Sequence, residues 1–263
     1  MSWTRIYALA LNTAREALRS RAGIGLLLVA VLFVIFSLAL SALAIREDAA
    51  RVVIDFGLFS FGLFGVLTAV VMGTILVHKE VDRKTIFTIV SKPVHRHEII
   101  VGKYLGMMVN LTAVLLVLAI VWALVLWLRR ADVGAEAAKA VLLLWMELLV
   151  VSAMALFFAS FTSPVLSGLF TLGFFLLGRT VGAVDLMLDS PRSIFADLPA
   201  LKPLGNLYVH TVPDLSVFQV SQEILLGVEV SGGYLVASFG YAVAYAILFL
   251  AAAIVLFRRR DFV

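Results

Sequence analysis

Six apolar stretches alternate with polar breaks along this chain, at about 22–45, 52–77, 104–128, 140–161, 165–188 and 234–257. Each reaches the ~20 residues that an α-helix needs to cross a hydrocarbon core. The first carries no charged residue from Ala22 to Ile45, which is longer than the core of a signal peptide. It is therefore expected to stay as an anchor, although Ala42-Leu43-Ala44 imitates a cleavage site. Ahead of it, Trp3, Tyr7, Leu11, Ala14 and Leu18 recur at spacings of four and three, with Arg5, Asn12, Arg15 and Arg19 largely off that stripe. This pattern predicts an amphipathic interfacial helix over 1–21, lying on the inner leaflet with its aromatic side in lipid.

Composition agrees. The 263 residues are 63% apolar and 14% charged, whereas soluble domains are about 45–50% apolar and about 25% charged. A water-soluble enzyme and a disordered chain are both excluded on that ground. With no cysteine, there is no disulfide, thiolate nucleophile or cysteine metal site.

The distribution of charge sets the expected orientation. With the N-terminus placed inside, 13 of the 21 Lys and Arg fall on the inner side or at inner span ends, against five of the 17 acids. The inner side then carries +8 and the remainder −4. This is the positive-inside pattern, and it accounts for the basic balance without nucleic acid. Six spans place both termini in the cytoplasm of a multi-pass inner-membrane protein. The loop 78–103 is then cytoplasmic and rich in charge. The segment 189–233 is extracytoplasmic and holds four of the six prolines, so short broken helices are expected there. Asp214 is placed to cap one with Val217, Val220 and Ile224 on one face.

Few residues inside the spans carry chemistry. Asp55, Glu147 and Arg179 are the intramembrane polar candidates, and such groups mark functional sites or structural pairs. Asp55 sits about 5 Å inside the outer end of the second span; Glu147 and Arg179 each sit about 10 Å from that side on the fourth and fifth. The turn Thr162-Ser163-Pro164 makes those two spans antiparallel neighbours, so Glu147 and Arg179 are candidates for an ion pair. Gly65, Ala69 and Gly73 form a small-residue stripe suited to close helix packing, within one subunit or between two. Phe56-Gly57-Leu58-Phe59 recurs as Phe61-Gly62-Leu63-Phe64, a period of five that fits no repeat architecture. No phosphate-binding loop, nucleophile elbow or metal-ligand spacing occurs. The four histidines are read as solvated loop residues, and neither a catalytic nor a metal site is expected.

The inner loop reads HKEVDRKTIFTIVSKPVHRHEIIVGK from His78 to Lys103. Glu80, Arg83, Thr85, Ile86, Ile89, Val90, Ser91, Pro93, Arg96, Glu98, Ile99, Gly102 and Lys103 together resemble the signature that follows the second span in ABC-2-type transporter permeases. The N-terminal helix, the six spans and the terminal F-R-R-R-D-F at Phe257–Phe262 fit the same pattern over the whole chain. Arg83 stands where glycine is common, and His95 where serine or threonine is common. Independently of the family, Glu80–Ser91 has helical spacing with Ile86, Ile89 and Val90 available to one face, and Pro93 stops it.

The resemblance implies an all-α polytopic permease subunit that is not itself an enzyme and holds no cofactor. A separate ABC ATPase subunit, carrying ATP and magnesium, would dock on a cytoplasmic coupling helix through Glu80, Arg83, Thr85, Ile86, Ile89, Pro93 and Arg96. A second copy or a similar permease would complete the path through the membrane, with lipid around it. Two rival readings remain open at this stage. One is a membrane subunit that conveys ATPase work to an extracytoplasmic partner at 189–233; the other is a six-span channel or ATP-independent carrier.

Overall fold

The computed structural model describes residues 3–44, 49–82, 96–129, 134–191, 193–225 and 228–259. All regular structure among them is helical. Helix α1 (Trp3–Leu18) is followed by Ser20, whose hydroxyl accepts from the Gly23 N–H at 2.9 Å and so caps α2 (Arg21–Leu43). Then come α3 (Ala49–Asp82), α4 (Arg96–Leu128), α5 (Gly134–Ala159) and α6 (Pro164–Asp189). Pro164 occupies the first turn of α6, where its missing N–H costs nothing. The proline-rich segment breaks into α7 (Ile194–Asp197), a 3-10 turn (Pro199–Leu201), α8 (Lys202–Thr211), a second 3-10 turn (Ser216–Phe218) and α9 (Ser221–Leu225). Helix α10 (Gly232–Arg259) closes the chain. Six helices, α2 to α6 and α10, are long and apolar enough to cross a membrane. The protein is an all-α polytopic membrane protein.

Three helix ends pass the limits of their apolar stretches by five residues or more. Helix α3 continues beyond Val77 to Asp82, α4 begins at Arg96 rather than Tyr104, and α5 at Gly134 rather than Ala140. An apolar stretch measures the hydrocarbon layer, whereas a helix ends at a breaker or cap. Residues 83–95, with Arg83, Thr85, Ile86, Ile89 and Pro93, lie outside the described residues, as do the side chains of Glu80 and Arg96.

Helix α5 is the most buried of the six. It packs against α10, α3, α6 and α4. Its seam with α3 is built on the small-residue stripe. A Cβ added to Gly65 would stand 2.9 Å from Leu148 Cδ1, and one added to Gly73 would stand 2.6 Å from Ala155 Cβ. Ala69 between them is fully buried. Lipid is as apolar as the side chains, so association in the bilayer rests on such close approach. The stripe therefore packs inside one subunit.

Helix α1 lies along the start of α4. A Cβ on Gly102 would meet Leu9, and one on Gly106 would meet Thr13 Cβ at 2.6 Å and the Ala10 carbonyl. Ile6, Thr13, Ala14 and Ala17 are buried, while Trp3 and Tyr7 are 71% and 69% exposed. The apolar stripe of α1 thus divides into two sides. Ala14 belongs to the side that faces protein; Trp3, Tyr7, Leu11 and Leu18 remain on the outside.

Candidate functional site

The polar centre of the bundle lies at the end that carries residues 190–231. Helices α5 and α6 run antiparallel from their short turn, which brings Glu147 and Arg179 to one level. Arg179 Nε donates to Glu147 Oε1 at 2.9 Å and Nη2 donates to Oε2 at 2.8 Å. Two parallel charge-assisted bonds of this kind are strong and fix orientation as well as charge. The Glu147 side chain is 1% exposed and that of Arg179 is 23% exposed, so the carboxylate depends on its partner while the guanidinium also reaches an open space. Its Cζ lies 4.8 Å from the ring centre of Phe175, one turn back on α6, within cation–π range.

Gly62 of α3 leaves room for the guanidinium, since a Cβ there would stand 3.0 Å from Arg179 Nη2. Gly57 admits the indole of Trp122 from α4, and that indole donates to the Val53 carbonyl at 3.1 Å. The five-residue repeat is explained by this. Five residues turn a helix by about 140°, so the two glycines open different faces of α3, one to α4 and one to α6.

The segment 190–231 is seated on the same place. The Leu215 N–H donates to the Gly178 carbonyl at 2.9 Å, and Leu215 and Ser216 fill the gaps left by Gly178 and Gly182. Asp214 Oδ1 accepts from the Ser216 N–H at 2.9 Å and its hydroxyl at 2.6 Å, while the Asp214 N–H donates to Tyr241 Oη at 2.7 Å. Asp214, one residue ahead of the cap position Leu215, thus holds the start of a 3-10 turn, and no single helix runs from it through Ile224. At Gln219 the chain is extended, with φ −96° and ψ 105°. There the Gln219 amide, turned with its oxygen toward the guanidinium, accepts from Arg179 Nη1 and from Nε at 3.1 Å. Farther along, Lys139 donates to the Val230 carbonyl at 2.8 Å, and the Val230 N–H donates to Glu136 at 3.0 Å.

Between these parts lies a cleft of about 270 Å³, with Asp55, Arg179, Phe59, Phe218 and Gln219 in its wall. Asp55 is exposed in this wall, whereas Glu147 is buried and not part of it. No group of acids and histidines suited to a metal occurs among the described residues. At the other end of the bundle, Glu98 and Lys103 of the loop signature are buried on α4, beside the Gly102 contact with α1. The last part of the signature is thus a packing junction. An apolar groove of about 570 Å³ runs there between α1 and α4, with Trp145 of α5 at its edge.

The structure brings Glu147 and Arg179 together, sets Asp55 in the same cleft, and places Gly65, Ala69 and Gly73 on the α3–α5 seam. Gly62 and Gln219 were not singled out from the sequence as partners of Arg179, nor Gly178 and Gly182 as the seats of Leu215 and Ser216. The five-residue repeat and the two glycines flanking Arg179 were the available signals, and both needed neighbouring helices to be understood. Residues 7–262 match the model of the ABC-2 family transporter proteins. No curated protein matches the chain. A match over nearly the full length, on six membrane-spanning helices, makes this chain a member of the ABC-2 family, a membrane permease of an ABC transporter.

Proposed function

We propose that this chain is the permease subunit of an ATP-driven exporter of the inner membrane, working as a dimer with separate ATPase subunits on the cytoplasmic side. The observation that carries the reading is the family match over residues 7–262. The absence of a phosphate-binding loop in the sequence supports leaving ATP, magnesium and catalysis to the partner. The charge balance supports cytoplasmic termini. Helices α2 and α10 keep most of their surface free inside one subunit, which leaves apolar faces for lipid and a second copy.

In this reading the ATPases close on ATP and push residues 78–103. Helices α3 and α4 flank that loop and extend past the apolar layer, which favours their moving as rigid bodies. Replacing Ile86 and Ile89 together by Asp puts two charges into an apolar groove of the ATPase and is expected to abolish co-purification at equal membrane expression. Arg83→Glu is expected to weaken recovery less, since a rim ion pair contributes up to about 1 kcal/mol. Unchanged recovery with the double variant would remove this loop from the coupling mechanism. The permease purified alone should not hydrolyse ATP.

A second reading, transmission of ATPase work to an extracytoplasmic partner, is favoured by one feature. The segment 190–231 is tied to α5, α6 and α10 through Val230, Gln219 and Asp214, so motion of the spans would be passed to it directly. A partner retained by the wild type and lost on replacing this segment's exposed side chains would decide for it.

A further inference from the structure

The cleft beside Arg179 has an uneven charge. Arg179 is fully engaged: Nε and Nη2 hold Glu147, and Nη1 faces Gln219. Its positive charge is cancelled by Glu147, which is buried behind it. Asp55, also in the wall, makes no ion pair or side-chain hydrogen bond among the described residues. The three charges therefore leave the cleft one negative charge, located at Asp55. An anionic ligand would find the guanidinium occupied and a carboxylate facing it.

Apart from Gln219 and Ser221, the rest of the wall is apolar. Leu58 and Phe59 follow Asp55 on the same face of α3, three and four residues on. Leu144 comes from α5 and Phe218 from the 3-10 turn. A carboxylate with an aromatic ring one turn away suits a cation, through charge and the negative face of the ring. The volume of about 270 Å³ lies just under the ~300–1,000 Å³ of drug-sized sites, so the occupant is small.

We propose that this cleft is a binding site for a small organic cation with an apolar body, an alkyl- or arylammonium ion. The ammonium group sits at Asp55 and Phe59, and the body lies against Leu58, Leu144 and Phe218. The Arg179–Glu147 pair forms a neutral floor that excludes anions, and Gln219 to Ser221 form the roof. This goes beyond the transport reading and does not depend on it, because binding needs neither ATP nor the ATPase.

The test uses the full-length permease in phosphatidylcholine nanodiscs and three fluorinated probes, followed by ligand-observed fluorine NMR. The probes are 4-fluorophenethylammonium, the neutral 2-(4-fluorophenyl)ethanol and the anion 4-fluorophenylacetate. Only the ammonium should bind saturably, and Asp55→Asn should weaken it by about tenfold, the loss expected when a charge contact and its cation–π support are both removed. Ser221→Trp, which fills the roof and leaves every charge in place, should also abolish saturable binding. It keeps the test valid if Asp55→Asn fails to fold. Equal binding of the neutral probe, or ammonium binding unchanged in either folded variant, would overturn the proposal. A permease that binds the ammonium but does not recruit an ATPase would sink the transport reading alone.

Discussion

Arg179 is held by neighbours on three sides, and the two members of its ion pair are not equivalent. Arg179→Gln leaves the Glu147 carboxylate without its partner at 1% exposure, and the loss for a broken buried pair is about 3–5 kcal/mol. Glu147→Gln leaves a guanidinium that still has Gln219 and the open cleft, so its loss should be smaller. The double variant should be milder than the sum of the two. Thermal unfolding of all four proteins in detergent checks both the order and the non-additivity; additive effects would mean that the pair does not interact. Gly57 provides a second residue-scale comparison. Gly57→Ala drives a methyl group into the Trp122 indole and its bond to Val53, and such overpacking costs about 1–3 kcal/mol. Gly62→Ala meets the end of the Arg179 side chain at 3.0 Å and Leu144 at 3.8 Å and should be the milder of the two.

At the scale of helices, the α3–α5 seam makes a sharper demand at Gly73 than at Gly65. A methyl group at Gly65 meets the end of Leu148, which can rotate; one at Gly73 meets Ala155 Cβ, with Ala155 backbone close behind. Gly73→Ala should therefore destabilise by about 1–3 kcal/mol, and adding Ala155→Gly should restore part of the loss. A melting temperature for the pair no higher than for Gly73→Ala alone would show that the contact is not the cause. This scale also shows what the sequence could and could not disclose. The number of spans was legible, because apolar length is set by the bilayer. The ends of α3, α4 and α5 were not, because a helix continues through the headgroups until something stops it. The pairing of Glu147 with Arg179 could be anticipated because one tight turn joins their helices. The Gln219 contact could not, because it depends on where the chain leaves helical geometry after Phe218. A role for Asp214 at the start of a turn was legible, but the break into two short elements, Ser216–Phe218 and Ser221–Leu225, was not.

For the whole molecule, the orientation is the most exposed expectation. With +8 on one side and −4 on the other, a reporter active only outside the cytoplasm should be silent at Val263 and active when inserted near Asn206. The reverse result would invert the orientation and with it the site of ATPase docking. The division of α1 into two apolar sides then has a mechanical consequence. One side is locked to Gly102 and Gly106 of α4, immediately after the loop proposed to receive the push. The other leaves Trp3, Tyr7, Leu11 and Leu18 exposed, facing the inner leaflet in the proposed orientation. A stroke that tilts α4 would drag this helix sideways or lift it through the headgroups, so the bilayer would act as both spring and damper on the transport cycle. Turnover in liposomes should then depend on lateral pressure and slow in stiffer, more tightly packed membranes, even when nucleotide and substrate are saturating.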